Sequence, residues 1–179
     1  DRDYHLAVTR AAMARQAVGE NERQNLLQQA AEGFQKFAKE HSSSPQYISS
    51  LSQVGNMLTE QALATLNKAD RLPKEATAEQ ESLRASAREN IQQAADAVNQ
   101  LLTSIDDKLS QLPRGAELQA DKGAAALKQD LLAKQAEGRF LAANLKFEIS
   151  RAYPIDAPER ELALDTAAGY TITPIGAPT

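Results

Sequence analysis

The chain has 179 residues, a net charge of −4 and no cysteine. That length suits one domain or a short array of helical repeats, and the missing cysteine removes disulfides, thiolate metal sites and cysteine nucleophiles together. Charges of both signs are interspersed without a basic block, which leaves nothing to bind nucleic acid through its phosphates, and no run approaches the ~18 consecutive apolar residues of a membrane-spanning helix.

Alanine dominates, tryptophan is absent, and only four Tyr and four Phe are present. Ala, Gln, Glu, Leu, Lys and Arg are the strong helix formers, whereas the β-branched residues that favour sheets are sparse. An all-α fold follows, built from antiparallel helix-turn-helix pairs. The many alanines let helix axes approach closely, so thin ridge-into-groove packing is expected rather than a thick core.

Prolines at 45, 73, 113, 154, 158, 174 and 178 divide the chain. Proline is tolerated in the first turn of a helix and disfavoured inside it, so each long proline-free interval is room for a helix. The first helix is expected over about 3–18, with Tyr4, Leu6, Ala7, Ala11, Ala14 and Val18 on one face and Gly19 as a left-handed stop. Asn21 and Gln24 then read as a capping box. They open a second helix whose apolar face is Leu26, Leu27, Ala30, Ala31, Phe34, Phe37 and Ala38. Ser44 as N-cap and Pro45 in the first turn start a third helix over about 45–70.

Thr77 and Gln80 read as the next capping box. Beyond it Ile91, Val98, Ile105 and Leu112 recur every seven residues, with Ala95, Leu102 and Leu109 four after the first three. This is an a/d seam and calls for a long neighbouring helix. The turn Leu112-Pro113-Arg114-Gly115 makes the segment 116–152 that neighbour, so 77–152 is expected to be an elongated antiparallel hairpin. At 1.5 Å per residue each arm would be roughly 55 Å long. Asp156 and Glu159 cap a short last helix over about 157–169. The whole of 1–170 thus reads as one helical module of pairs over about 3–40, 45–112 and 116–170, with an extended or disordered tail at 171–179.

Two repeats show in the pattern. Glu22-Arg23, Leu26-Leu27, Ala30-Ala31 and Phe34 return in the same order, with one slip, as Glu159-Arg160, Leu162, Leu164, Ala167-Ala168 and Tyr170. A second signal is Leu51, Val54, Gly55 and Leu58, preceded by Ala30, Phe34, Phe37, Ala38 and a proline turn. It resembles a divergent tetratricopeptide repeat of the kind found in large bacterial repeat proteins. The likeness runs over about residues 20–66 and loosely over 140–170. Between them the arms of 77–152 exceed the family's usual helix length. The resemblance implies an α-solenoid in which Gly55 lets a paired helix approach, and in which Phe34 and Phe37 fill the space between repeats. It also implies a concave surface that holds a protein or peptide partner. Ser49, Ser52, Asn56 and Thr59 would face it as a polar strip. No Lys or Arg occurs among these four, so a clamp for a terminal carboxylate is not expected.

Catalytic chemistry finds no footing. His5 and His41 are the two histidines, and no helical His-x-x-x-His or Glu-x-x-His spacing exists for a metal. Asp106 and Asp107 are adjacent on a helix and read as solvated charges, whereas acid–base work needs carboxylates converging on a cleft. Gly115 and Gly123 stand alone, so no phosphate loop forms. The amphipathic helices carry Gln, Glu and Ala where membrane-surface helices carry Lys, Arg and bulky aromatics. The sequence therefore points to no enzyme, cofactor, metal or membrane insertion. It points to an interaction scaffold for a protein or peptide, with self-association into a larger oligomer or cell-envelope assembly as the alternative. The chain opens on Asp1 and not on Met, as a processed protein or excised fragment would, which leaves an exported location open beside a cytoplasmic one.

Overall fold

The computed structural model describes residues 2–154 and 156–172, with the side chains of 116, 119 and 166–172 outside the description. Among the described residues the chain forms seven helices and no strand. They are α1 (Arg2–Gln16), α2 (Glu20–Glu40), α3 (Tyr47–Arg71), α4 (Thr77–Gln111), α5 (Gly115–Ala120), α6 (Lys122–Arg151) and α7 (Pro158–Ile172). The all-α expectation is met. Successive long helices joined by short turns lie antiparallel, α1 on α2, α2 on α3, α3 on α4, α4 on α6 and α6 on α7, and α3 also reaches α6.

Two apolar clusters hold this row together. The larger runs from Ala7, Ala11 and Ala14 of α1 through Leu27, Ala30 and Phe34 of α2 and Val54, Leu58 and Leu66 of α3. It continues into Ile91 and Val98 of α4 and Leu145 of α6. The smaller gathers Ala38, Ile48, Leu51, Leu101, Ile105 and Leu131 where α2, α3, α4 and α6 meet. Phe34 and Phe37 are buried, and the Tyr4 ring of α1 closes over both at centroid distances of 5.7 and 5.2 Å. The Tyr4–Phe34 pair is edge-to-face, an arrangement that adds roughly 0.5–1.5 kcal/mol beyond the area it buries.

The seam on α4 has two neighbours rather than one. Ile91, Val98 and Ile105 are buried as expected, but so are Ala87, Ala94 and Leu101, which recur with the same period one stripe over. α4 lies between α3 and α6, with α3 as the more extensive contact. Glycines set these approaches. A Cβ on Gly55 would stand 3.0 Å from Val98 Cγ2 of α4 and 3.1 Å from Leu141 Cδ2 of α6, and one on Gly138 would stand 3.0 Å from Leu102 Cδ2.

Several local expectations are corrected. α1 ends at Gln16, so Val18 is fully exposed in the turn. Gly19 has φ −87° and is the N-cap of α2, not a left-handed stop. Neither proposed capping box forms. Gln24 Nε2 donates to Glu20 Oε1 at 2.8 Å. Gln80 Nε2 reaches back to the carbonyls of Leu72 and Pro73 at 3.2 and 3.1 Å, because Thr77 already lies inside α4. The second hairpin arm is broken at Asp121. Its side chain accepts from the N–H groups of Gly123 and Ala124 and restarts the chain as α6, so α4 spans about 52 Å and α6 about 45 Å. α7 opens on Pro158 at its first position and includes Thr171 and Ile172; the remaining tail, 173–179, lies outside the described residues. The repeat that equates Leu162 and Leu164 with Leu26 and Leu27 is not repeated in burial, since Leu27 is buried while Leu162 and Leu164 are exposed.

Candidate interaction groove

α3 runs between α2 and α4, and their three surfaces form an open groove of about 1450 Å³. It is bordered by the first three-quarters of α2, the C-terminal half of α3 and the early turns of α4. Leu58, Leu63 and Ala64 of α3 and Ala31 of α2 supply apolar ground. Half of the polar lining is carboxamide, and most of the remainder is charged, with Glu32, Glu89, Lys68 and Arg71 beside the Arg23 and Glu60 side chains. Gln24, Gln28 and Gln35 come from α2, Gln61 and Asn67 from α3, and Asn90 and Gln93 from α4.

Two contacts hold the α2 wall to α3. The Arg23 guanidinium pairs with the Glu60 carboxylate, and Gln61 Nε2 donates to the Gln24 carbonyl at 3.2 Å. The hydrogen bond that Arg23 donates to Glu60, followed by the carboxylate's charge, raises the Arg23 pKa above its already high ordinary value, so the cation is fixed at any physiological pH. Three of the carboxamides are oriented by carboxylates one turn away. Gln24 Nε2 donates to Glu20, Gln28 Nε2 to Glu32 at 3.0 Å and Gln93 Nε2 to Glu89 at 3.4 Å. With part of each NH₂ occupied, the side-chain carbonyl oxygens of these glutamines remain as acceptors.

The expected strip does not line this groove. Ser49 and Ser52 are half-buried and Asn56 is exposed, all towards the other end of α3. Thr59 is buried, and its Oγ1 donates to the Gly55 carbonyl at 2.6 Å, so it presents nothing to a partner. The groove residues that sequence reasoning missed carry a faint signal, since Gln24, Gln28 and Gln35 share one side of α2. What the sequence does not contain is that α3 would bring Asn67 and Gln61 between them and Asn90 and Gln93.

Other chemistry-bearing residues are dispersed. Asp106 accepts from Gln135 Nε2 at 2.5 Å and ties α4 to α6, apart from any partnership with Asp107. His41 caps α2 and lies against Phe37 with centroids 4.9 Å apart. Among the described residues no three His, Asp or Glu side chains converge as metal ligands, and no helix is long and apolar enough to cross a membrane. A smaller hollow of about 410 Å³ lies where the start of α3, the end of α4 and the first turns of α6 meet, among Ile48, Leu112, Leu127 and Leu131, rimmed by Lys108 and the Lys134–Asp130 pair. No family model matches this chain, and no curated protein or solved structure matches it at a significant level.

Proposed function

We propose that this chain is a non-enzymatic interaction scaffold, and that the groove between α2, α3 and α4 is where a protein or peptide partner docks. The observation that carries this reading is the groove's lining. Carboxamides offer both donors and acceptors without charge, which is the chemistry of a peptide group. Gln24 and Gln28 follow each other at about one helical turn, ~5.4–6 Å, close to the ~6.6 Å repeat of every second residue in an extended chain. The kinship with tetratricopeptide repeats belongs to the same reading. It is supported by the close helix approach at Gly55 and by the burial of Phe34 and Phe37.

A photo-crosslinking residue introduced in place of Gln28, compared with one in place of Gln100, tests the reading. Gln100 is exposed on α4 and outside the groove. A discrete protein adduct in extracts of the source cells from position 28 alone supports the groove. Equal adducts from both positions, or none from position 28, would remove it as the docking site.

A further inference from the structure

An exposed hydrophobic stripe lies elsewhere, on the face of α6 away from its buried residues Leu131, Ala142 and Leu145. Phe140 is 76% exposed and Phe147 49%. An isolated apolar residue on a surface needs no explanation, but these two are spaced by one heptad. Ala133 precedes Phe140 by seven residues, and Ala136 and Ala143 lie three after Ala133 and Phe140. The stripe therefore has the a/d periodicity that seeks a second helix. It is the opposite of the α4 seam, whose a positions are buried inside the molecule. α7 packs on α6 and leaves both rings exposed. At roughly 200 Å² per aromatic side chain the two rings expose on the order of 250 Å² per copy; paired helices would add Ala133, Ala136 and Ala143 and the stems of Arg139 and Lys146, which makes a contact of the weak, transient class.

We propose that this face is a self-association surface, on which the α6 helices of two copies pair antiparallel about a two-fold axis near residues 141 and 142. A two-fold contact must be self-complementary, and the order of large and small residues satisfies that. With the axis there, Phe140 of one copy seats on Ala143 of the other, and Phe147 seats on Ala136. Every ring meets a methyl group, and no layer sets ring against ring. Arg139 and Lys146 precede the two rings, and under the same axis they face the like charges of the second copy. Their repulsion is screened by salt, so association strengthens as ionic strength rises. This inference rests on no part of the groove reading, and the two stand or fall separately.

Light scattering across a hundredfold concentration range is the test. The mass of the wild-type chain rises from 19.4 kDa towards twice that value, and the rise moves to lower concentration in high salt. Phe140→Glu holds the monomer mass throughout, and its melting temperature equals that of the wild type at concentrations where the wild type is monomeric, because the side chain is exposed on the monomer. As the chain has no cysteine of its own, an introduced thiol reports on the register: Ala143→Cys forms a disulfide-linked dimer under mild oxidation, and Ala126→Cys does not. A wild-type mass that stays monomeric, or a rise that survives both Phe140→Glu and Phe147→Glu, would overturn the surface. Equal cross-linking from positions 126 and 143 would overturn the antiparallel register.

Discussion

At Gly55 the absence of one methyl group lets α3, α4 and α6 meet. Val98 Cγ2 stands 3.0 Å from where a Cβ would sit, and Val98 is wholly buried. As a β-branched residue in a helix it has essentially one rotamer to offer. Overpacking of this kind costs about 1–3 kcal/mol, while alanine in a helix regains about 0.8–1.0 kcal/mol over glycine. The clash wins. Gly55→Ala is expected to destabilise the fold by about 1 kcal/mol, read as a lower midpoint in urea with an unchanged slope. A second single-residue effect depends on pH. The hydrogen bond from Lys36, followed by its charge, holds the Asp3 carboxyl below its ordinary value of 3.8, and the same partner raises Lys36 above 10.5. A depressed carboxyl contributes stability that is present above its unfolded value and is lost as pH falls through the folded one. A raised ammonium contributes below its unfolded value and loses that contribution as pH rises through the folded one. The pair therefore tethers α1 to α2 between about pH 4 and pH 10.5. The melting temperature should fall more steeply below that window in the wild type than in Lys36→Met, which lacks the pair.

Helix by helix, the cap at Asp121 is the feature most open to a direct test. Its carboxylate takes the N–H groups of Gly123 and Ala124 at 2.9 and 3.0 Å, two of the four donors that a helix start leaves unpaired. Removing such a cap costs about 1 kcal/mol. Asp121→Ala should speed amide exchange at Gly123 and Ala124 by several-fold and leave the α4 amides untouched. That cap also marks how far the sequence could be read. Proline spacing and the seven-residue recurrence of Ile91, Val98 and Ile105 place the long helices to within a few residues, because a buried stripe of large aliphatics is a strong periodic signal. Ala87 and Ala94 are as deeply buried, yet alanine is so common here that its periodicity is lost in the background. The shared role of α4 between two neighbours was hidden for that reason. Helix starts differ from the sequence reading at Asn21 and Thr77, whose chemistry fits a cap, because the caps are Gly19, two residues earlier, and Ala76, one residue earlier. The groove was less legible still. Gln28 and Asn90 are unremarkable solvated residues on their own helices, and only the placement of α3 between α2 and α4 gives them a common surface.

Across the whole molecule, packing follows chain order. α1 rests on α2 at one end of the row, α7 rests on α6 at the other, and α3 and α4 lie in the middle with neighbours on both sides. Local opening is easiest where few apolar contacts must break. Native-state hydrogen exchange is accordingly expected to release α1 and α7 first and α3 and α4 last, with Val54, Leu66, Val98 and Ile105 amides defining the slowest set. The reverse order would mean that the ends are held by contacts the row does not show.

This same end-to-end order fixes how the molecule would carry a mechanical load. Tension applied through residues 2 and 172 pulls at the two outermost helices, each antiparallel to its inner neighbour. The applied force therefore parts helix from helix one turn at a time, as a zip opens, in place of shearing a whole interface at once. α1 and α7 peel away at low force as yielding arms, and α3 and α4, drawn close to α6 at Gly55 and Gly138, remain as a stiff central block.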